Sequence, residues 1–149
     1  MRNKLCVFAA LTAGLLMAAG TMFAHHSENN YDHDRLIRLK GIVTKFEYIN
    51  PHCVLHFDVK GAQGETEEWV GVSGSPNEMR HHGWTTTTFK VGDHVDITAF
   101  VNSEGRRIVQ MPKILVNGEA VASSTIAGVQ LEGYRTRNGD KPPETNLGQ

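Results

Sequence analysis

The sequence predicts an all-β fold, a small five-stranded OB-like barrel with one short helix between strands three and four. Three observations carry this expectation. Segments in which apolar and polar residues alternate recur through the middle of the chain, bounded by Gly, Pro, Asn and Asp turns. The first of these segments is long and changes phase partway, as a bent barrel strand does. One helix-start signature, Ser75-Pro76-Asn77-Glu78, falls between the third and fourth segments. An ordinary small β-sandwich is the alternative that the same alternation permits.

Each element has its own justification. Residues 25–35 form a polar leader. Residues 36–48 are rich in Ile, Val, Phe and Tyr, with Ile37, Leu39 and Val43 on one face. Past Gly41 the opposite face turns apolar too, at Ile42, Phe46 and Tyr48, which predicts a bulge or bend at the glycine. Asn50-Pro51 makes a turn. The second strand, 52–59, sets Cys53, Leu55 and Phe57 against His52, Val54, His56 and Asp58. Residues 61–64 connect a hairpin to the third strand, 66–72, which carries Trp69.

The helix starts with Ser75 as N-cap, Pro76 in the first turn and Glu78 placed for a capping box, and Gly83 stops it. In the fourth strand Val95, Ile97, Ala99 and Val101 face inward, and His94, Asp96 and Thr98 outward. The fifth, 106–116, is interrupted by Pro112. The barrel domain is therefore read as 36–118. The remainder, 119–149, is an extension that from about residue 134 is polar, Gly/Pro-rich and expected to be disordered.

Residues 1–24 read as a cleavable secretory signal peptide. Arg2 and Lys4 precede an apolar run from Leu5 to Met17, and small residues follow at Ala18, Ala19, Gly20 and Ala24. The run is shorter than the roughly 20 apolar residues of a transmembrane helix. A cut after Ala24 makes His25 the first residue. A cut after Gly20 puts Ala18 and Gly20 in the small-residue slots and leaves four residues ahead of the histidines. Loss of Arg2 and Lys4 from the 15 Lys+Arg, against 16 Asp+Glu, leaves a mature net charge of about −3. Nothing in that balance offers nucleic acid a basic surface. Cys6 leaves with the signal peptide, so Cys53 remains without a disulfide partner. The expected protein is periplasmic or secreted, with no membrane span in the mature chain.

Several short signatures occur in order: His25-His26-Ser27, Lys40-Gly41 followed by Val43-Thr44-Lys45, Asn50-Pro51-His52, Gly74-Ser75-Pro76-Asn77, Gly83-Trp84 and Gly92-Asp93. In these the chain resembles a bacterial family of small exported proteins that carries only a domain-of-unknown-function label. The resemblance covers about residues 25–116 and implies export but no established activity. Glu28-Asn29-Asn30 after His-His-Ser, Cys53-Val54 after Asn-Pro-His, and His81-His82 depart from the family's usual pattern.

Eight histidines is a high count, and all lie beyond residue 24. A mature N-terminal His25 offers its amine and its imidazole to one metal ion, and an imidazole from elsewhere completes a T-shaped copper site. The candidate metal ligands are His25, His26 and His52. His52 and His56 share a strand face but lie ~13 Å apart along it, too far to share an ion. His56, His94, His81 and His82 read as surface residues, and Cys53 as a buried thiol pointing away from His52. The competing reading is an interaction module without metal, gripping a protein or small ligand through Trp69, Trp84, Ser75 and Asn77. No nucleophile–base set, phosphate loop or paired-carboxylate motif is visible, so the chain reads as a binding protein and not an enzyme.

Overall fold

The computed structural model describes residues 30–122 and the backbone of 144–147. The segment read as a signal peptide, His25 and His26, and most of the C-terminal extension lie outside the described residues. Along the chain run β1 (Tyr31–Tyr48), β2 (Cys53–Lys60), β3 (Thr66–Val72), α1 (Pro76–His81), β4 (His94–Asn102), β5 (Ile108–Val116), β6 (Glu119–Val121) and β7 (Glu144–Leu147).

Five strands close a ring. β1 pairs antiparallel with β2 and with β4, β2 with β3, and β4 with β5, while β3 and β5 run parallel. The OB-like barrel follows, because the sheet returns to its own first strand instead of stacking on a second sheet. β1 can serve two partners because it is 18 residues long. Its first part lies along β4 and its second along β2, and at Gly41 both pair at once, through Val95 and Val59.

The phase change expected at Gly41 lies at Thr44 instead, where the β1–β2 register shifts between Val43 and Lys45. Val43 is still buried with Ile37 and Leu39, and Ile42 is 45% exposed. Gly41 answers a different need, close approach: a Cβ there would stand 2.5 Å from the Asp58 carbonyl oxygen and 2.9 Å from the Phe57 ring. At the shift Val43 turns its backbone to the loop before β4, donating to the Asp93 carbonyl and accepting from the Gly92 N–H, each at 2.9 Å.

β1 also begins earlier than expected. Tyr31 and Asp32, inside the polar leader, pair with Asn102 and Val101 of β4, because the end of β4 offers a ladder that polar residues can fill. Pro112 does not interrupt β5. Met111 and Pro112 together oppose Ala99 between the pairs Thr98–Lys113 and Phe100–Gln110, so the residue without an N–H sits in a bulge. The bulge returns Ile114 and Val116 to the core face already used by Val109 and Met111.

The barrel interior is filled by Ile37, Leu39, Val43, Leu55, Phe57, Ile97, Val109 and Ile114. One end is plugged by Trp84 and Phe89, whose rings are 4.9 Å apart, with Phe46 packed on both. The Tyr48 hydroxyl donates to the Pro76 carbonyl at 2.6 Å, tying β1 to α1. As expected, Ser75 caps α1, its Oγ accepting from the Glu78 N–H at 3.3 Å. Asn117-Gly118, both at positive φ, turn β5 into β6. In the extension expected to be disordered, Glu144–Leu147 forms β7 and runs parallel to β1 at residues 36–39.

Arg38 of β1 grips Asp96 of β4 with two hydrogen bonds of 2.6 and 2.7 Å. Those bonds hold the Asp96 carboxyl below its usual range. Because the folded value is the lower one, this pair's stabilisation is present above the ordinary carboxylate range and is lost as pH falls through the depressed value. Arg38→Ala should therefore move the acid-unfolding midpoint to higher pH in a circular dichroism titration. Gly41→Val should destabilise the fold by about 2–3 kcal/mol in urea unfolding, because the Asp58 backbone of β2 cannot yield to the added carbons.

Candidate functional site

The outward-facing residues of β1, β2 and β3 form the surface on which the sequence-predicted ligands can be judged. His52 stands just before β2, after the Asn50-Pro51 turn, and its side chain is exposed. Cys53 beside it is fully buried. Its backbone is pinned to the connection before α1, its N–H donating to Gly74 O and its carbonyl accepting from Ser73 N–H. Burial, and then the charge of Glu78, push the Cys53 thiol up to about 11. A thiol so buried and so held protonated is a poor nucleophile at neutral pH.

His56 is where the structure departs from the sequence reading. Expected as a surface residue, it is only 21% exposed and is flanked by two carboxylates from neighbouring strands. Its Nε2 lies 3.1 Å from Glu47 Oε2 on β1, and its Nδ1 3.3 Å from Glu68 Oε1 on β3. Glu47 is in turn held by Lys45, whose ammonium donates to it at 2.7 Å. That hydrogen bond first, and His56 second, hold the Glu47 carboxyl below its usual range.

A neutral imidazole carries hydrogen on one nitrogen only. With Nε2–H donating to Glu47, as the lowering of that carboxyl implies, a metal ion would have to displace this proton, and Nδ1–H would then donate to Glu68. Two ligands that share an ion at ~2.1 Å stand about 3.0–3.4 Å from each other, so the 3.1 Å between Nε2 and Oε2 has the dimension of a chelating pair. A carboxylate on the far ring nitrogen is the usual way to orient a ligating histidine. Sequence spacing could not show this set, because Glu47, His56 and Glu68 meet only through strand register.

The other histidines are placed differently. His33 packs on Phe100 with ring centroids 4.8 Å apart. His81, at the end of α1, His82 and His94 are exposed, as the sequence predicts. Among the described residues, no three His, Cys, Asp or Glu side chains are grouped so as to hold a metal by themselves. Any third ligand for the Glu47–His56 pair has to come from elsewhere.

The residues expected to line a ligand groove do not form one. Trp84 is 2% exposed, and its indole N–H is spent on the Ala122 carbonyl. Trp69 is 8% exposed, with its N–H on Glu67. Ser75 is occupied by the helix cap, and the Asn77 side-chain oxygen accepts from Arg80 at 2.8 Å. Both indoles are thus core side chains, while Ser75 and Asn77 serve α1.

The chain enters the barrel beside the β4–β5 turn. The Asn30 carbonyl accepts from the Ser103 N–H at 2.8 Å and from the Asn102 side chain at 3.2 Å. Register then follows one ladder row round the ring. Asn102 precedes the turn opposite Ile108, Ile108 pairs with Val70, and Val70 pairs with His56. Three strand spacings, ~14 Å, separate Asn102 from His56. His52, four residues further along β2, is ~19 Å away on the diagonal.

Among the described residues no helix is long and apolar enough to cross a membrane. The sequence matches a family model over residues 12–110, and that family is described as one of unknown function. No curated protein matches the chain. In a chain lacking residues 1–24, whose one thiol is Cys53, a disulfide reagent at pH 8 should label the native protein at least a hundredfold more slowly than the urea-unfolded protein.

Proposed function

The chain belongs to the DUF6152 family, and we propose that it is an exported binding protein that takes a transition-metal ion, copper first, through its mature N-terminal histidine. Export removes residues 1–24 and makes His25 the first residue. Its α-amino nitrogen and imidazole close one chelate ring, and His26 stands next to it as a supporting donor. Amine and imidazole nitrogens suit Cu(II) by ligand type and by the Irving–Williams order.

The observation that carries the reading is the anchoring of Asn30 at the β4–β5 turn, on the ladder row that ends at His56. Measured along the ladder from Asn102, where Asn30 is anchored, His56 at ~14 Å is nearer than His52 at ~19 Å to a five-residue segment that spans at most about 17 Å. The third imidazole in this proposal is therefore His56, oriented by Glu68 and accompanied by Glu47. His52, named from its sequence neighbourhood, is the second candidate. In this reading the protein holds the ion and hands it on.

The test is Cu(II) titration of protein whose first residue is His25, followed by electron paramagnetic resonance. Submicromolar binding should be abolished by N-terminal acetylation or by His25→Ala. It should weaken at least tenfold in His56→Ala and less than twofold in His52→Ala. Equal binding by the acetylated protein would sink the metal reading. A loss confined to His52→Ala would move the third ligand to the β1–β2 turn.

A further inference from the structure

Away from the histidine cluster, an open groove of about 560 Å³ runs across the outer side of β1 where that strand passes from β4 to β2. Ladder register orders its residues into two rows. In one, Lys60 of β2 stands next to Lys40 of β1, one step beyond the Gly41–Val59 pair, and Lys40 pairs with Asp96. Asp96 in turn pairs with Leu115 of β5. In the other row Asp58 pairs with Ile42, and Ile42 with His94. The groove thus has an apolar floor at Ile42 and Leu115, with two ammonium groups at one side.

Like charges on adjacent strands destabilise a sheet, and here Lys40 shares its nearest carboxylate, Asp96, with Arg38. Asp96, the natural partner of Lys40, is engaged by both arms of Arg38. The Lys60 ammonium donates to the neutral hydroxyl of Thr66 at 2.7 Å. Ile42, at 45%, is among the most exposed large apolar side chains of the described residues. A soluble barrel gains nothing in stability from this combination. A cleft of this size with an apolar floor and a few convergent polar groups is, however, the usual form of a small-molecule site.

We propose that this groove binds an amphipathic organic anion, its carboxylate between Lys40 and Lys60 and its apolar body on Ile42 and Leu115. Charge complementarity selects the occupant. One lysine shares its carboxylate with Arg38 and the other is bonded to a neutral hydroxyl, which leaves both able to take an anion, and the floor gives an apolar chain a surface that water otherwise covers. Asp58, on the same rim beside Ile42, disfavours a ligand carrying a second negative charge at its far end. The site is independent of the copper reading, since it shares no residue with the Glu47–His56–Glu68 cluster.

The experiment is a titration of the mature protein with octanoate, followed by backbone amide shifts, with octanol and octylamine as matched probes. Octanoate should produce saturable shifts at residues 40–42, 58–60 and 94–96, and should bind at least tenfold more tightly than either matched probe. The double variant Lys40→Ala/Lys60→Ala should weaken octanoate at least tenfold and leave octanol within twofold. Ile42→Ser, at an exposed position, should weaken both. Near-UV circular dichroism and Cu(II) binding should be unchanged in all of these variants. Absence of saturable shifts, preference for octylamine, or undiminished octanoate binding by the double lysine variant would overturn the proposal.

Discussion

At Gly41 the backbone of β1 is held from both sides at once, by Val59 of β2 and by Val95 of β4. The missing side chain permits this, since the Asp58 carbonyl and the Phe57 ring occupy the space a Cβ would take. Close approach here lets a single strand belong to both halves of the sheet, and the ring closes through it. A closed ring has no free edge along its main strands, which removes the template for sheet-to-sheet association. The cost is curvature, which β1 absorbs at two register shifts and β5 at its Met111–Pro112 bulge.

Curvature also decides which surfaces are available for binding. Because β1 wraps round the barrel, Glu47 near its end meets His56 on β2, and Lys40 near its middle meets Lys60 at the far end of the same strand. One hairpin thus presents an acidic–imidazole cluster at one level and a groove with two lysines on its rim at another. The aromatic plug of Trp84, Phe89, Phe46 and Tyr48 fills the barrel end under α1, and the two polar clusters lie on the outside.

Much of the fold was legible residue by residue. Alternation marked β2 and β3 closely, and Ser75-Pro76 with Glu78 marked the helix start, because each is a local preference that the tertiary structure had no reason to override. Asn117-Gly118 is a hairpin signal in plain sight and accounts for β6. The early start of β1 and the strand at 144–147 were not legible. Both consist of polar or mixed residues recruited by an exposed ladder, and the partner, not the segment's own pattern, supplies the hydrogen bonds.

The candidate sites divide in the same way. The sequence by itself determined that a His-His pair stands at the expected cleavage boundary, that Cys53 faces the core, and that the chain is an all-β barrel, since each depends on neighbours in the chain or on strand period alone. Only the tertiary structure decided that Trp69 and Trp84 are buried, that His56 is clasped by Glu47 and Glu68, and that Lys40 stands next to Lys60. The reason is register. Sequence period says which face of a strand a residue takes, and only the pairing of one strand with another says which residues share that face side by side.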